Sequence, residues 1–175
     1  MLKFLALIGL LAIAVAIAAA VFFFGGFYSV AANDADPALV DHMLIQVRQA
    51  SIARHAKDAP PAEDANAVQA GARAYSTRGC VNCHGAPGVE WAKWSEGLRP
   101  DPADLKEVSG ERQPNELFWV IKNGIKMTGM PGFGGSGVKD DEIWKIVAFV
   151  KKWPSVTPED YKAWTESTTG TQPPG

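Results

Sequence analysis

An all-α chain with one N-terminal membrane-spanning helix is predicted by three observations. Residues 4–33 carry no charge, and the run "FLALIGLLAIAVAIAAAVFFF" within them is apolar apart from Gly9. Several later segments repeat apolar residues at helical spacing, and none shows the sustained alternation of a half-buried strand. Between those segments lie stretches rich in proline and glycine, so short helices joined by long loops are expected.

The 175 residues suit one modest domain plus something extra, since domains most often run to about 100–150 residues. A net charge of −2 gives no basic excess for binding nucleic acid. The N-terminal run is longer than the apolar region of a secretory signal, about 7–15 residues, and matches the roughly 20 needed to span a bilayer. Lys3 precedes it, whereas Asp34, Asp36 and Asp41 follow. That polarity keeps the amino terminus on the cytoplasmic side and exports everything after residue 33. Residues 1–33 are therefore expected to form an uncleaved anchor. A cleaved signal peptide is the competing reading, with "SVA" at 29–31 as its cleavage site.

Residues 34–64 read as a linker helix followed by a proline-rich linker. Pro37 opens "PALVDHMLIQVRQASIARHAK", where Leu39, Met43 and Val47 recur at i+4 with Val40 and Leu44 beside them. Arg48, Arg54, His55 and Lys57 lie on its polar side, which reads as a solvated face. The sharper reading is a basic surface near lipid head groups or a partner subunit. "DAPPAED" cannot continue a helix.

The exported domain is expected over residues 65–160. Its first helix, "ANAVQAGARAYSTRG", places Val68, Ala72 and Tyr75 on one face with Gly71 adjoining, and a glycine there implies close approach by another helix. Residues 86–110, with two tryptophans and several prolines, read as loop. "QPNELFWVIKNG" is a short helix with Asn115 as N-cap, Leu117, Phe118 and Ile121 apolar, and Gly124 as its stop. "KDDEIWKIVAFVKKWP" is the strongest helix, acidic at its start, basic at its end and closed by Pro154. Ile143, Ile146, Val147 and Val150 form its buried face, with Trp144 and Phe149 at the flanks. Residues 161–175 fade into polar, proline and glycine residues and are expected to be a mobile tail. So much irregular backbone in about 100 residues has difficulty forming a core alone.

The chemistry gathers in "GCVNCHG", residues 79–85, which holds both cysteines of the chain and one of its three histidines. Two thiols at this spacing can add across the two vinyl groups of haem, and the adjacent histidine then falls beneath the iron. The pattern is the signature of covalent c-type haem attachment. Cys80 and Cys83 would carry the thioethers. His84 would ligate the iron, with its other ring N–H held by a backbone carbonyl, for which "GLRPDPADL" offers several acceptors. A thioredoxin-type pair wants a βαβ context, which is missing. A structural zinc site wants four ligands, and the remaining histidines, His42 and His55, lie outside the domain. For the sixth ligand the domain offers two methionines, Met127 and Met130, both in the loop "KMTGMPGFG" rather than on a helix face. A thioether opposite histidine raises the reduction potential.

With these motifs the chain resembles the class I c-type cytochromes, small monohaem electron carriers of bacterial envelopes, and in particular the membrane-anchored proteobacterial ones. "GARAYSTRGCVNCHG" is similar to their first helix running into the haem motif, "NGIKMTGMPGFG" to their methionine loop, and "DEIWKIVAFVKKWP" to their last helix. The resemblance covers about residues 65–154; the anchor, the linker helix and the tail depart from it. It implies a cytochrome c fold around one haem c per chain, and it points to Met130, before Pro131, as the methionine on iron. It further implies an electron-transfer protein rather than an enzyme, in the inner membrane of a bacterium with its haem domain in the periplasm. Expected partners are membrane redox complexes, other cytochromes or a terminal oxidase. The alternative is a permanent haem subunit of a larger respiratory or dehydrogenase complex.

Overall fold

In the computed structural model, which describes residues 1–62 and 64–166, every regular element is helical. The chain divides into two units, residues 1–35 and residue 36 onward. The first is a single helix, α1 (Leu2–Phe24), uncharged from Phe4 to its end. It is long and apolar enough to cross a membrane, a property that a signal sequence shares.

In the second unit α2 (Ala38–His55) begins directly after Pro37. α3 (Ala67–Thr77) leads through Gly79, at φ +77°, into the single turn α4 (Val81–His84). α5 (Leu105–Glu111) and α6 (Pro114–Asn123) follow, then α7 (Asp140–Lys152) and α8 (Pro158–Glu166). The centre is the crossing of α3 over α7. Ala72 and Tyr75 on one helix meet Ile143, Ile146, Val147, Phe149 and Val150 on the other, all buried. Leu117, Phe118 and Ile121 bring α6 against the same helix, with Phe118 stacked on Trp144 at 4.1 Å between ring centroids. Phe149 is fully buried rather than flanking. It packs at 5.2–5.7 Å, centroid to centroid, against Tyr75, Trp153 and Tyr161.

Four further sequence expectations need correction. Residues 86–110 are not all loop: a 3₁₀ turn occupies Lys93–Gly97 and α5 starts within the stretch. The Asp104 carboxylate accepts the Lys106 N–H at 2.8 Å and caps α5, whose seven residues are too few to display a period. Asn115 does not cap α6; Gln113 does, with its own N–H held by Glu116 at 3.0 Å. The expected tail begins as helix, because α8 buries Tyr161 and packs Trp164 on the core; residues 167–175 lie outside those described. Finally, the end of α2 is not free linker. Ile52 and Ala56 are buried, Asn115 Nδ2 donates to the Ala56 carbonyl at 2.6 Å, and the His55 ring stacks on Trp119 at 5.9 Å. Arg112 also hydrogen-bonds Gln49. These contacts place α2 in one unit with the domain expected from residue 65.

Candidate haem-attachment site

The site is assembled at the end of α3. Gly79 takes a left-handed conformation that turns the chain, and the Cys80 N–H returns to the Tyr75 carbonyl at 3.2 Å. The following turn closes with the His84 N–H on the Cys80 carbonyl at 3.0 Å, so both thiols and the imidazole project from one short helix. Tyr75, buried in the core, donates its hydroxyl to the Gly85 carbonyl at 2.7 Å and holds the far end of the turn. Tyr75→Phe leaves that carbonyl without its buried partner and is expected to cost about 1–2 kcal/mol, read by thermal melting.

His84 Nδ1 lies 2.9 Å from the Ala103 carbonyl oxygen. A carbonyl can only accept, so Nδ1 carries the proton and Nε2 keeps its lone pair for a metal. Burial lowers the His84 pKa, opposed by the Ala103 bond, and so favours the neutral ring a ligand must have. Ala103 belongs to the segment expected to supply this carbonyl; the capped start of α5 beside it fixes which one. Cys83 and His84 open onto a cavity of about 340 Å³, bounded across from them by Trp91, Arg99 and Ala103.

The thiols do not have the character of a redox pair. Both are free, and burial pushes Cys80 up to about 12 and raises Cys83 as well. A disulfide-exchanging pair needs a thiol poised below the ordinary value. Among the described residues no group of three or more His, Cys, Asp or Glu side chains is placed to hold a metal ion. Neutral thiols one turn apart, beside an imidazole with a free Nε2, fit a covalently attached haem.

The two methionines are placed differently. Met127 is 92% exposed, with φ +59°, and its side chain points away from the core. Met130 is half-buried and packs on the core cluster. Its N–H donates to Thr128 Oγ1 at 3.1 Å, and that hydroxyl donates to the Ile125 carbonyl at 2.8 Å. The loop is fastened to the end of α6, where the Ile125 N–H reaches the Met130 carbonyl and the Phe133 N–H reaches that of Ile121. Gly124, at φ +68°, fits so closely that a Cβ would lie 2.6 Å from the Gly132 nitrogen and 2.8 Å from the Met130 oxygen. The organising role of Thr128 was not read from the sequence, although a hydroxyl two residues before the methionine is a recognisable turn signal.

Helices crossing behind a C-x-x-C-H turn, a correctly oriented imidazole and a fastened methionine loop define a c-type cytochrome domain. A family model described as "Cytochrome C oxidase, cbb3-type, subunit III" matches residues 66–150. That segment is a c-type cytochrome domain, and the protein is a haem c electron-transfer protein rather than a catalyst of its own. No curated protein and no solved structure matches at significance.

Proposed function

We propose that this chain is a one-electron carrier tethered by α1 to a bacterial inner membrane, with one haem c held in the periplasm through Cys80 and Cys83 and ligated by His84 and Met130. The observation that carries the proposal is the His84–Ala103 bond, which fixes the ring tautomer and leaves Nε2 for iron. The bound haem supplies reversible one-electron chemistry. The residues of the chain set its conditions. Burial around His84 favours the neutral imidazole, Thr128 and Gly124 hold Met130 in a fixed loop, and the core behind Tyr75 keeps the attachment turn rigid. Partners are membrane redox complexes, other cytochromes or a terminal oxidase, and tethering raises the local concentration of the carrier around them.

Replacing Met130 tests the ligand set. Met130→Leu is expected to open the site to carbon monoxide and lower the potential by on the order of 0.1 V, part of the roughly 0.8 V span that axial ligands control. Met127→Leu is expected to leave both unchanged. The reverse pattern, by redox titration and ligand binding, overturns the assignment.

The description of the matching family as an oxidase subunit favours a second reading, a permanent haem subunit of a respiratory oxidase. Native sizing after detergent extraction separates the two. A haem-containing species near the monomer mass supports the carrier, and co-migration with larger subunits supports the fixed subunit.

A further inference from the structure

α2 has two apolar faces, and only one is covered. Ile45, Ile52 and Ala56, at i, i+7 and i+11, share the side turned to the domain, where Ile52 and Ala56 are buried against α6. Leu39, Met43 and Val47, at i, i+4 and i+8, run down the opposite side and are 71%, 57% and 65% exposed, with Leu44 beside them also exposed. A solvated helix face does not carry such a stripe, and the domain's own core makes no use of it.

We propose that α2 is an interfacial helix that lies on an anionic bilayer surface through Leu39, Met43, Leu44 and Val47 while its other face holds the cytochrome domain. Two further observations select lipid as the occupant. Within α2 the basic Arg48 and Arg54 outnumber the single acid Asp41, and Lys57 follows just past its end, while the acids Asp34, Asp36 and Asp58 lie outside the helix. Asp41 and the half-buried Arg48 both fall toward the domain side of the wheel, whereas Arg54, expected on the polar side, instead continues the outward stripe beyond Val47 and is exposed, so its stem can follow the apolar row and place its guanidinium at phosphate depth. The connection to α1 is also short enough to keep α2 within reach of a bilayer that α1 spans. Residues 25–37 alone join α2 to α1, a tether of at most about 50 Å. The outward surface is one convex helix row, suited to partition into a head-group layer.

The inference rests on the reading of α1 as a membrane anchor, and the test separates the two. Single cysteines introduced as Val15→Cys, Met43→Cys, Val47→Cys and Gly110→Cys in the full-length holoprotein are given nitroxide labels, the native thiols being consumed by haem. Gly110 has open space around its Cα and serves as the water-facing reference. Collision with oxygen and with a water-soluble nickel chelate is then measured in phosphatidylcholine vesicles with and without phosphatidylglycerol. Oxygen-to-nickel ratios at 43 and 47 are expected several-fold above that at 110 in the anionic vesicles, and reduced without the anionic lipid. Water-like ratios at 43 and 47 with a lipid-like ratio at 15 overturn the inference and leave the anchor intact. Water-like ratios at all positions overturn both. Labels at 43 and 47 shielded from both reagents show a protein surface covering the stripe, and that also overturns it. Leu39→Gln/Met43→Gln/Val47→Gln, three exposed positions, checks the same point without labels at the stripe: a label at Leu44→Cys should lose its lipid-like ratio in this background.

Discussion

Replacing Cys80 and Cys83 together by alanine is expected to abolish covalent haem attachment and to leave the domain without a cooperative fold. The reason lies in what the polypeptide can bury alone. The buried cluster is drawn almost entirely from α3, α6, α7 and α8. The loop segments 85–104 and 124–139 contribute only Ala86 and Val138 to the buried apolar residues. Cys80 and Val81 pack on the edge of the cluster, and Val89, Trp91 and Trp94 stay exposed. A haem fixed in front of the turn supplies apolar surface that no side chain in those segments provides. Small domains have stabilities of about 5–15 kcal/mol, and losing the central group of so small a core removes most of that amount. Circular dichroism on the variant should show helix lost beyond what α1 retains, with no sharp melting transition. A cooperative transition near that of the holoprotein would show that the helices suffice and that the haem's structural share is small.

The elements legible in the sequence are those whose signals are local and repeated. α7 has an acidic first turn, a basic last turn and an apolar row of four residues, and each is where the periodicity places it. Gly71 and Gly124 were legible because glycine in or after an apolar helix marks close approach or a stop. The C-x-x-C-H turn was legible because its spacing is dictated by chemistry rather than by packing. What escaped depends on partners remote in the chain. α5 and α8 are short, and their order comes from one cap and from Tyr161 and Trp164 reaching a core built elsewhere. α2 shows the same limit from the other side. Its visible stripe, Leu39–Met43–Val47, is the exposed one, while the residues that dock it, Ile52, Ala56 and the His55 ring, meet Trp119 and Asn115 of α6, over fifty residues away. The His84 acceptor was narrowed to a segment by sequence, but the choice of Ala103 needed the position of the Asp104 cap.

Gly71→Ala is expected to destabilise the domain by about 3 kcal/mol, at the upper end of what overpacking costs. In isolation alanine favours helix over glycine by about 1 kcal/mol, so the sign depends on the crossing. At Gly71 the bare Cα faces the backbone of α7. An added Cβ would collide with the Lys145 carbonyl oxygen, lie 2.5 Å from the Lys145 carbonyl carbon and stand 3.0 Å from Phe149 Cβ. Those atoms are backbone or its first branch and cannot swing aside, so the two helices must separate along the crossing. Separation opens the contacts of Ala72 and Tyr75 with Ile146, Phe149 and Val150, and loosens the Tyr75 hydroxyl that holds Gly85 behind the attachment turn. The variant should therefore melt roughly 12–24 °C lower, using about 4–8 °C per kcal/mol for a domain of this size. Because Tyr75 links the crossing to Gly85, the same displacement should reach the attachment turn, visible as easier acid displacement of the proposed ligand His84. Gly110→Ala, with open space where its Cβ would go, is the matched control and should be neutral or slightly stabilising. Equal melting temperatures for the two variants would mean that α3 and α7 do not meet as closely as this crossing requires.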